Sequence, residues 1–224
     1  MAKLPSFLIT NFTFDSIYAG LVDQFSQPED ATEMLQLSRA VEEQYRKANK
    51  LFRYPGHIPM PAFVGEREHE IVELPLTFGR ATHTRQEVLS KLGIEVPVAS
   101  RILLLSFGGQ ASALLTQTIT LPAGWVVLVK QHLLPSSPAP AVPTPLIGYP
   151  DPFQRGMTNV DLIGACDAVL GKLGYGTCSE AIGNGNKPFL YVPRTEFIEE
   201  VILVCSQLRY AATQMIAIRL VFSK

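Results

Sequence analysis

Residues 161–194, DLIGACDAVLGKLGYGTCSEAIGNGNKPFLYVPR, contain the pattern that decides the fold. The apolar run at 168–170 predicts a buried strand, and a glycine-rich turn follows it at 171–177. Residues 178–182 predict the start of a helix, and 189–192 predict the next strand. Strand, glycine turn, short helix and strand in succession indicate a parallel α/β unit.

The glycine turn is a candidate anion site. Backbone N–H groups at a helix N-terminus are unpaired, and the helix dipole adds positive potential there. Gly174 and Gly176 remove side chains that would block a phosphate, and Glu180 lies one turn in, where a carboxylate can accept hydrogen bonds from sugar hydroxyls. The alternative is purely structural, because a tight turn needs glycine and a carboxylate near a helix N-terminus is favourable without any ligand.

Residues 171–194 resemble the nucleotide-sugar-binding segment of glycosyltransferases with two Rossmann-like lobes. In that segment a G-x-G-T-x-S-E-A turn precedes a G-x-P-x-x-x-V-P strand. The resemblance is closest to the glycosyltransferase-like region at the N-terminal side of plant L-arabinokinases, and to related stand-alone microbial and fungal proteins. Residues 184–187 (NGNK) make the turn before the proline one residue longer than is usual in that family.

Composition indicates a protein that forms a hydrophobic core. The chain has 224 residues, enough for one large or two small domains; 47% are hydrophobic and 17% are charged. A net charge of −1 gives no basic field for nucleic acid. The apolar run at 201–222 is interrupted by Gln207, Arg209, Gln214 and Arg219, so it does not predict a membrane span.

The cysteines and histidines predict no metal site. Cys166, Cys178 and Cys205 are widely spaced, and His69, His83 and His132 lack a partner at metal-ligand spacing. No signal peptide pattern opens the chain, so a reduced, cytoplasmic setting is expected.

The first part of the chain predicts a strand at 6–10 and two helices, the second beginning at Pro28. The resemblance implies that this segment lies late in an N-terminal lobe. Residues 1–83 are therefore expected to be the remnant of an N-terminal, acceptor-side lobe. His57, in a loop with three prolines, is a weak candidate catalytic base, although a structural role is the more usual one for a loop histidine.

A second strand and glycine turn follow in the next part. The apolar run at 102–107 predicts a parallel strand buried on both faces, and Gly108, Gly109 and Gln110 come directly after it. Alone, this pattern is only a tight turn; with the turn near Gly174, it predicts two loops at the same sheet edge, where ligands bind in open α/β sheets. The resemblance implies that this loop approaches the phosphates of the sugar donor.

The rest of the chain completes the predicted second lobe, residues 84–224. Another strand is predicted at 125–129, and the segment 135–152, with seven prolines, is predicted to be an exposed loop. The tail after residue 200 is atypical for the family, and it is expected to pack as one helix or to be prone to aggregation.

Together these patterns predict an α/β fold, a Rossmann-like parallel sheet with helices on both faces. The resemblance implies that this sheet belongs to a GT-B-like C-terminal lobe and that the N-terminal lobe is represented only by a remnant. The resemblance implies a nucleotide-sugar-dependent glycosyltransferase, in truncated form, with a nucleoside diphosphate sugar as donor and no further cofactor. The predicted contacts are Gly108, Gly109, Gln110, Lys172, Gly174, Gly176, Thr177 and Glu180, and the catalytic residue is unknown. The alternative is a non-catalytic binding or interaction module, with a partner chain possible; no phosphate loop of a sugar kinase is present.

Overall fold

A computed structural model describes residues 4–107, 121–134, 144–192 and 215–217. These residues fall into two compact units, one ending at Thr77 and the other beginning at Phe78. The sequence places the division after residue 83, six residues further along the chain. Residues 78–81 pack on the second unit: the side chain of Asn184 donates a hydrogen bond to the Gly79 carbonyl and accepts one from the Ala81 N–H.

Three short parallel strands form the sheet of the first unit, in the order β1 (Phe7–Thr10), β2 (Lys50–Arg53) and β3 (Ile71–Glu73). Two helices lie between β1 and β2, α1 (Phe14–Leu21) and α2 (Pro28–Tyr45). Helix α2 begins at a proline, whose fixed φ suits the first helical position and whose missing N–H costs nothing there. Two 3₁₀ segments, Pro61–Phe63 and Gly65–Glu70, connect β2 to β3.

The core of the first unit lies on one face of this sheet. Leu8, Leu51 and Ile71 are register partners on neighbouring strands, so their side chains share a face. Residues from both connections cover that face, namely Tyr45 and Ala48 from the first and Met60, Ala62 and Phe63 from the second.

Six parallel strands form the sheet of the second unit, in the order β6-β5-β4-β7-β8-β9. The strands are β4 (Arg101–Ser106), β5 (Trp125–Lys130), β6 (Leu146–Tyr149), β7 (Ala168–Gly171), β8 (Phe189–Tyr191) and β9 (Met215–Ala217). The helices are α3 (Arg85–Leu92), α4 (Asn159–Ala165) and α5 (Tyr175–Gly183). From β4 the chain adds β5 and then β6 on one side of the sheet. It then returns to the other side of β4 and adds β7, β8 and β9 there, so the strand order reverses between β4 and β7.

The central strands β4, β5 and β7 are covered on both faces. Consecutive residues along them are buried, including Ile102 to Leu105 and Val126 to Val129. A continuous apolar run is what a parallel strand between two helical layers requires. The predicted α/β fold with a Rossmann-like parallel sheet is confirmed.

Helix α3 is bounded by the signals that its sequence predicts. The Glu87 N–H donates to the Thr84 hydroxyl, and the Glu87 carboxylate accepts from the Thr84 N–H, which is a capping box. Gly93 ends the helix with φ at +69°, a left-handed conformation that glycine adopts without strain.

Three local predictions are wrong. Helix α5 begins at Tyr175, three residues before the predicted start at Cys178. Strand β6 lies inside the proline-rich segment that is predicted to be a loop throughout. Residues 215–217 form a strand beside β8, so the tail is not one continuous helix. Within the described ranges, no helix is long and apolar enough to cross a membrane.

Candidate functional site

The carboxyl ends of β4 and β7 meet at the point where the strand order reverses. Ser106, the last residue of β4, is the register partner of Gly171, the last residue of β7. The carboxyl ends of both strands therefore lie at the same edge of the sheet, and this switch point is where open α/β sheets bind ligands. The two strands approach each other so closely here that a β-carbon on Gly171 would overlap the Ser106 backbone oxygen.

Helix α5 directs its N-terminus toward this edge. It starts four residues after β7 ends, and Gly174 occupies the N-cap position without a capping side chain. A β-carbon added to Gly174 or Gly176 would meet no atom within 4 Å, so the space beside the first turn is open. Since the first N–H groups of any helix have no intrahelical acceptor, this opening gives an anion access to hydrogen-bond donors and to the positive end of the dipole.

Lys172 and Thr177 flank this helix N-terminus. Lys172 immediately follows β7, and Thr177 lies in the first turn of α5. Both side chains are half-buried, and neither forms a hydrogen bond or ion pair with another described residue. An ammonium group and a hydroxyl therefore lie beside the opening, and neither is paired with another residue of the described ranges.

Glu180 is half-buried on the same helix, and burial raises the pKa of its carboxyl group. Its backbone carbonyl accepts hydrogen bonds from Asn184, but no described side chain or N–H donates to its carboxylate. Because α5 starts at Tyr175, Glu180 lies more than one turn into the helix, slightly further than the sequence predicts. A partly desolvated carboxylate without a donor is well suited to accept hydrogen bonds from ligand hydroxyls.

The other predicted residues are Gly108, Gly109, Gln110 and His57. Gly108, Gly109 and Gln110 fall outside the described residues, and the described chain ends beside β4 at Phe107, so their contacts stay predictions. His57 belongs to the first unit, in the loop after β2, where its Nδ1 lies 3.1 Å from the Ile58 carbonyl oxygen.

Asp161 organises a polar cluster that the sequence analysis did not predict. Only 2% of the residue is exposed. One carboxylate oxygen accepts from the N–H groups of Thr82 and His83 at 2.8 and 3.1 Å, and His83 Nδ1 lies 3.1 Å from the same oxygen. The other oxygen accepts from the Thr158 N–H and hydroxyl. Burial alone would raise the pKa of Asp161, but these hydrogen bonds outweigh it and hold the pKa well below its usual range.

The titratable groups of the described residues are predicted to hold no metal ion. Across the described ranges, no cluster of three or more His, Cys, Asp or Glu side chains is arranged to hold an ion. Cys166 is buried, and burial raises the pKa of its thiol to about 12, so it is neither a thiolate ligand nor a nucleophile at neutral pH.

Comparison with known proteins finds relatives in sequence and in structure. No known family profile matches the chain. L-arabinokinase from Arabidopsis thaliana is 34% identical over 202 residues, which are 90% of this chain and 17% of that protein. A crystal structure of the glycotransferase of kitacinnamycin matches with a TM-score of 0.59 and 12% identity, covering 96% of this chain and 58% of that chain.

These matches settle the fold and the ancestry. At 12% identity the structural match shows the fold alone, whereas the sequence match shows homology. The chain spans only 17% of the length of L-arabinokinase, so the activity of that whole enzyme does not transfer with the similarity. The predicted resemblance is confirmed: the chain is homologous to the glycosyltransferase-like region of L-arabinokinase, and it has the fold of a GT-B glycosyltransferase.

Proposed function

We propose that the second unit binds a nucleoside diphosphate sugar and that the chain is a nucleotide-sugar-dependent glycosyltransferase. One observation supports this most strongly. The uncapped N-terminus of α5, with its open space at Gly174 and Gly176, lies directly after β7 at the reversal of strand order. An anionic group with a sugar attached fits a site that offers backbone N–H groups, a lysine, and a carboxylate to which no described residue donates a hydrogen bond.

Each predicted residue has a role in this proposal. The diphosphate lies at the start of α5, where the missing side chains of Gly174 and Gly176 let the backbone approach its oxygens. Lys172 adds charge beside it, and Thr177 donates a hydrogen bond. Glu180 accepts hydrogen bonds from hydroxyls of the nucleotide ribose. Gly108, Gly109 and Gln110, in the loop after β4, complete the phosphate contacts from the neighbouring strand.

The same arrangement suits the chemistry of glycosyl transfer. The bond between the anomeric carbon and the diphosphate oxygen breaks, and an acceptor oxygen forms a new bond to that carbon as it loses its proton. Negative charge then develops on the departing diphosphate. Fixed N–H dipoles and a lysine at that position stabilise the charge more in the transition state than in the bound donor. We assign no base for the acceptor proton.

Direct binding tests the proposal. We expect UDP, GDP or one of their sugars to raise the melting temperature of the protein and to give a saturable signal in calorimetry. Glu180→Ala should remove or weaken both signals. A cooperatively melting protein that binds none of these ligands would overturn the proposal.

The Gly176→Asp variant separates binding from folding. A carboxylate in the first turn of α5 interacts favourably with the helix dipole, so we expect an unchanged or higher melting temperature. The same charge repels the diphosphate, and affinity should fall at least about tenfold. Gly176→Asn is the matched control, since it adds nearly the same volume without the charge and should lose much less affinity. Equal losses in the two variants would indicate a steric effect and argue against an anion at this turn.

Glu180→Gln should also separate the two properties. Because burial raises the pKa of Glu180 in the folded state, the ionised carboxylate is disfavoured there at pH values above its usual pKa. The Glu180→Gln protein, in which the carboxylate is replaced by a neutral group of the same shape, should therefore melt at the same or a higher temperature than the wild type at pH 7. Affinity for the nucleotide sugar should fall about tenfold, because a hydroxyl loses its charged acceptor. If Glu180→Gln binds the nucleotide sugar as tightly as the wild type, Glu180 does not contact the ligand.

A binding module without turnover is the second candidate. This candidate follows from the missing assignment of a base, since none is identified among the described residues. The contact of His57 Nδ1 with the Ile58 carbonyl does not decide between the two functions, because it leaves Nε2 able to accept a proton. An assay for release of free nucleoside diphosphate distinguishes the two functions. Saturable donor binding without any release, in the presence of a broad panel of acceptors, would favour the module.

A further inference from the structure

Among the described strands, β1 is paired on one edge only. It lies at one end of the first sheet, with β2 on its other side. The carbonyls of Ser6 and Thr10 accept hydrogen bonds from Asn49 and Tyr54, so the even-numbered residues direct their backbone groups toward β2. By the alternation of a strand, Phe7 and Ile9 direct their N–H and C=O groups outward, where they can pair with another strand.

One face of the same sheet is exposed and mostly apolar, with Lys50 as its charged residue. Both connections pack on the face of Leu8 and Leu51. The opposite face contains Phe7, 56% exposed, Ile9, 59% exposed, and Val72, 37% exposed. The Phe7 and Phe52 rings lie edge to face on it, with centroids 5.9 Å apart. Parallel sheets are usually covered on both faces, so this face is suited to an interface.

We propose that the chain forms a symmetric dimer by antiparallel pairing of β1 with β1 of a second copy. Because Phe7 and Ile9 both direct backbone groups outward, a two-fold axis beside Leu8 places Phe7 opposite Ile9 of the partner subunit, and Ile9 opposite Phe7 of the partner subunit. Each opposed pair exchanges two hydrogen bonds, about four in all. The result is a continuous sheet across the two copies.

The side chains fit a second copy of this strand. Each hydrogen-bonded pair sets an aromatic ring beside a β-branched side chain on the exposed apolar face, a favourable cross-strand combination. Residues 4–14 contain no charged side chain that would repel an identical strand across the axis. Pro5 lacks an N–H and limits the pairing to a few residues. The interface is therefore small, and we expect a dissociation constant in the micromolar range.

Sedimentation velocity of the full chain over a range of about 1 to 200 μM, which brackets a micromolar constant, tests this proposal. We expect the average mass to rise from that of one chain toward that of two. Ile9→Lys should remain a monomer throughout, and its side chain is exposed enough that folding is preserved. Leu37→Lys, at a site 45% exposed on α2, and Val72→Lys, on the same sheet face but on β3, are matched controls that should dimerise like the wild type.

Amide hydrogen exchange provides a second readout. The N–H groups of Phe7 and Ile9 should exchange more slowly as concentration rises, while Ile9→Lys should show no such change. A wild-type chain that stays monomeric at every concentration would overturn the proposal. The proposal would also be overturned if Val72→Lys dissociated the dimer as completely as Ile9→Lys. That result would indicate that the two copies associate through their sheet faces without pairing of the β1 edges. Dissociation by Leu37→Lys would show that the dimer uses another surface. None of these outcomes depends on nucleotide-sugar binding.

Discussion

Asp161→Ala is expected to lower the free energy of unfolding by about 3–5 kcal/mol, because several buried donors lose their acceptor at once. The N–H groups of Thr82, His83 and Thr158 all donate to this carboxylate. Alanine leaves these donors without an acceptor and detaches residues 82–83 from the start of α4. Urea denaturation at pH 7, followed by far-UV circular dichroism, measures the difference.

The pH dependence of this stability difference tests whether the ionised carboxylate of Asp161 is its cause. The pKa of Asp161 is lower in the folded than in the unfolded state, so its contribution is complete above the unfolded value, about 4, and is lost as pH falls through the folded value. The difference in the free energy of unfolding between the wild type and Asp161→Ala should therefore become smaller below about pH 4. Asp151→Ala is the control: this exposed carboxylate accepts from Phe153 N–H alone, and its loss should cost about 1 kcal/mol or less. Equal effects of the two substitutions would contradict the role of the cluster.

Gly171→Ala is expected to destabilise the second unit by about 3 kcal/mol or more, through overpacking between the central strands. The new methyl group would overlap the Ser106 backbone oxygen, so β4 and β7 must move apart at their carboxyl ends. Nucleotide-sugar affinity should fall as well, since both predicted phosphate loops start from these strand ends. Denaturant unfolding and calorimetry with the best ligand measure the two effects.

Gly176→Ala is the matched control for this substitution. It adds the same methyl group five residues later, where the structure has open space and a helical backbone. Alanine has the higher helix propensity, so stability should be equal or slightly greater. If Gly171→Ala unfolds like the wild type, then β4 and β7 do not pack as closely as the structure indicates.

The sequence predicts most of the central sheet because the signals there are local. Apolar runs mark β4, β5 and β7, and the capping box of Thr84 and Glu87 marks α3. Two local rules led to errors. Gly176 suggests a turn because glycine is a poor helix former, yet α5 includes it in its first turn. Proline suggests a loop, yet β6 forms between Pro145 and Pro150 as the last strand of the sheet, where an absent N–H is tolerated.

The rest depends on long-range contacts that a single sequence does not reveal. The contact between Ser106 and Gly171 depends on the pairing of strands that are separated by more than sixty residues. The spacing of Thr158 and Asp161 is visible as a possible helix cap, but the contribution of Thr82 and His83 is not, because they lie 79 and 78 residues away. The sequence therefore locates the glycine turn before α5, whereas the second turn, at residues 108–110, stays a prediction and the packing between the strand ends is not visible in the sequence.

The reversal of strand order between β4 and β7 also determines which parts of the second unit can change length. On each side of the switch point, later strands lie further out. Strands β6 and β9 are therefore the two edge strands, furthest from the pair β4 and β7. Strand β6 is the edge strand of its half, so the connection from β5 to β6 ends at the position furthest from the pair β4 and β7. We expect a change in the length of this connection to leave the pairing of β4 with β7 intact, because that pairing does not involve β6. Designed insertions in the second unit are therefore best directed to this connection.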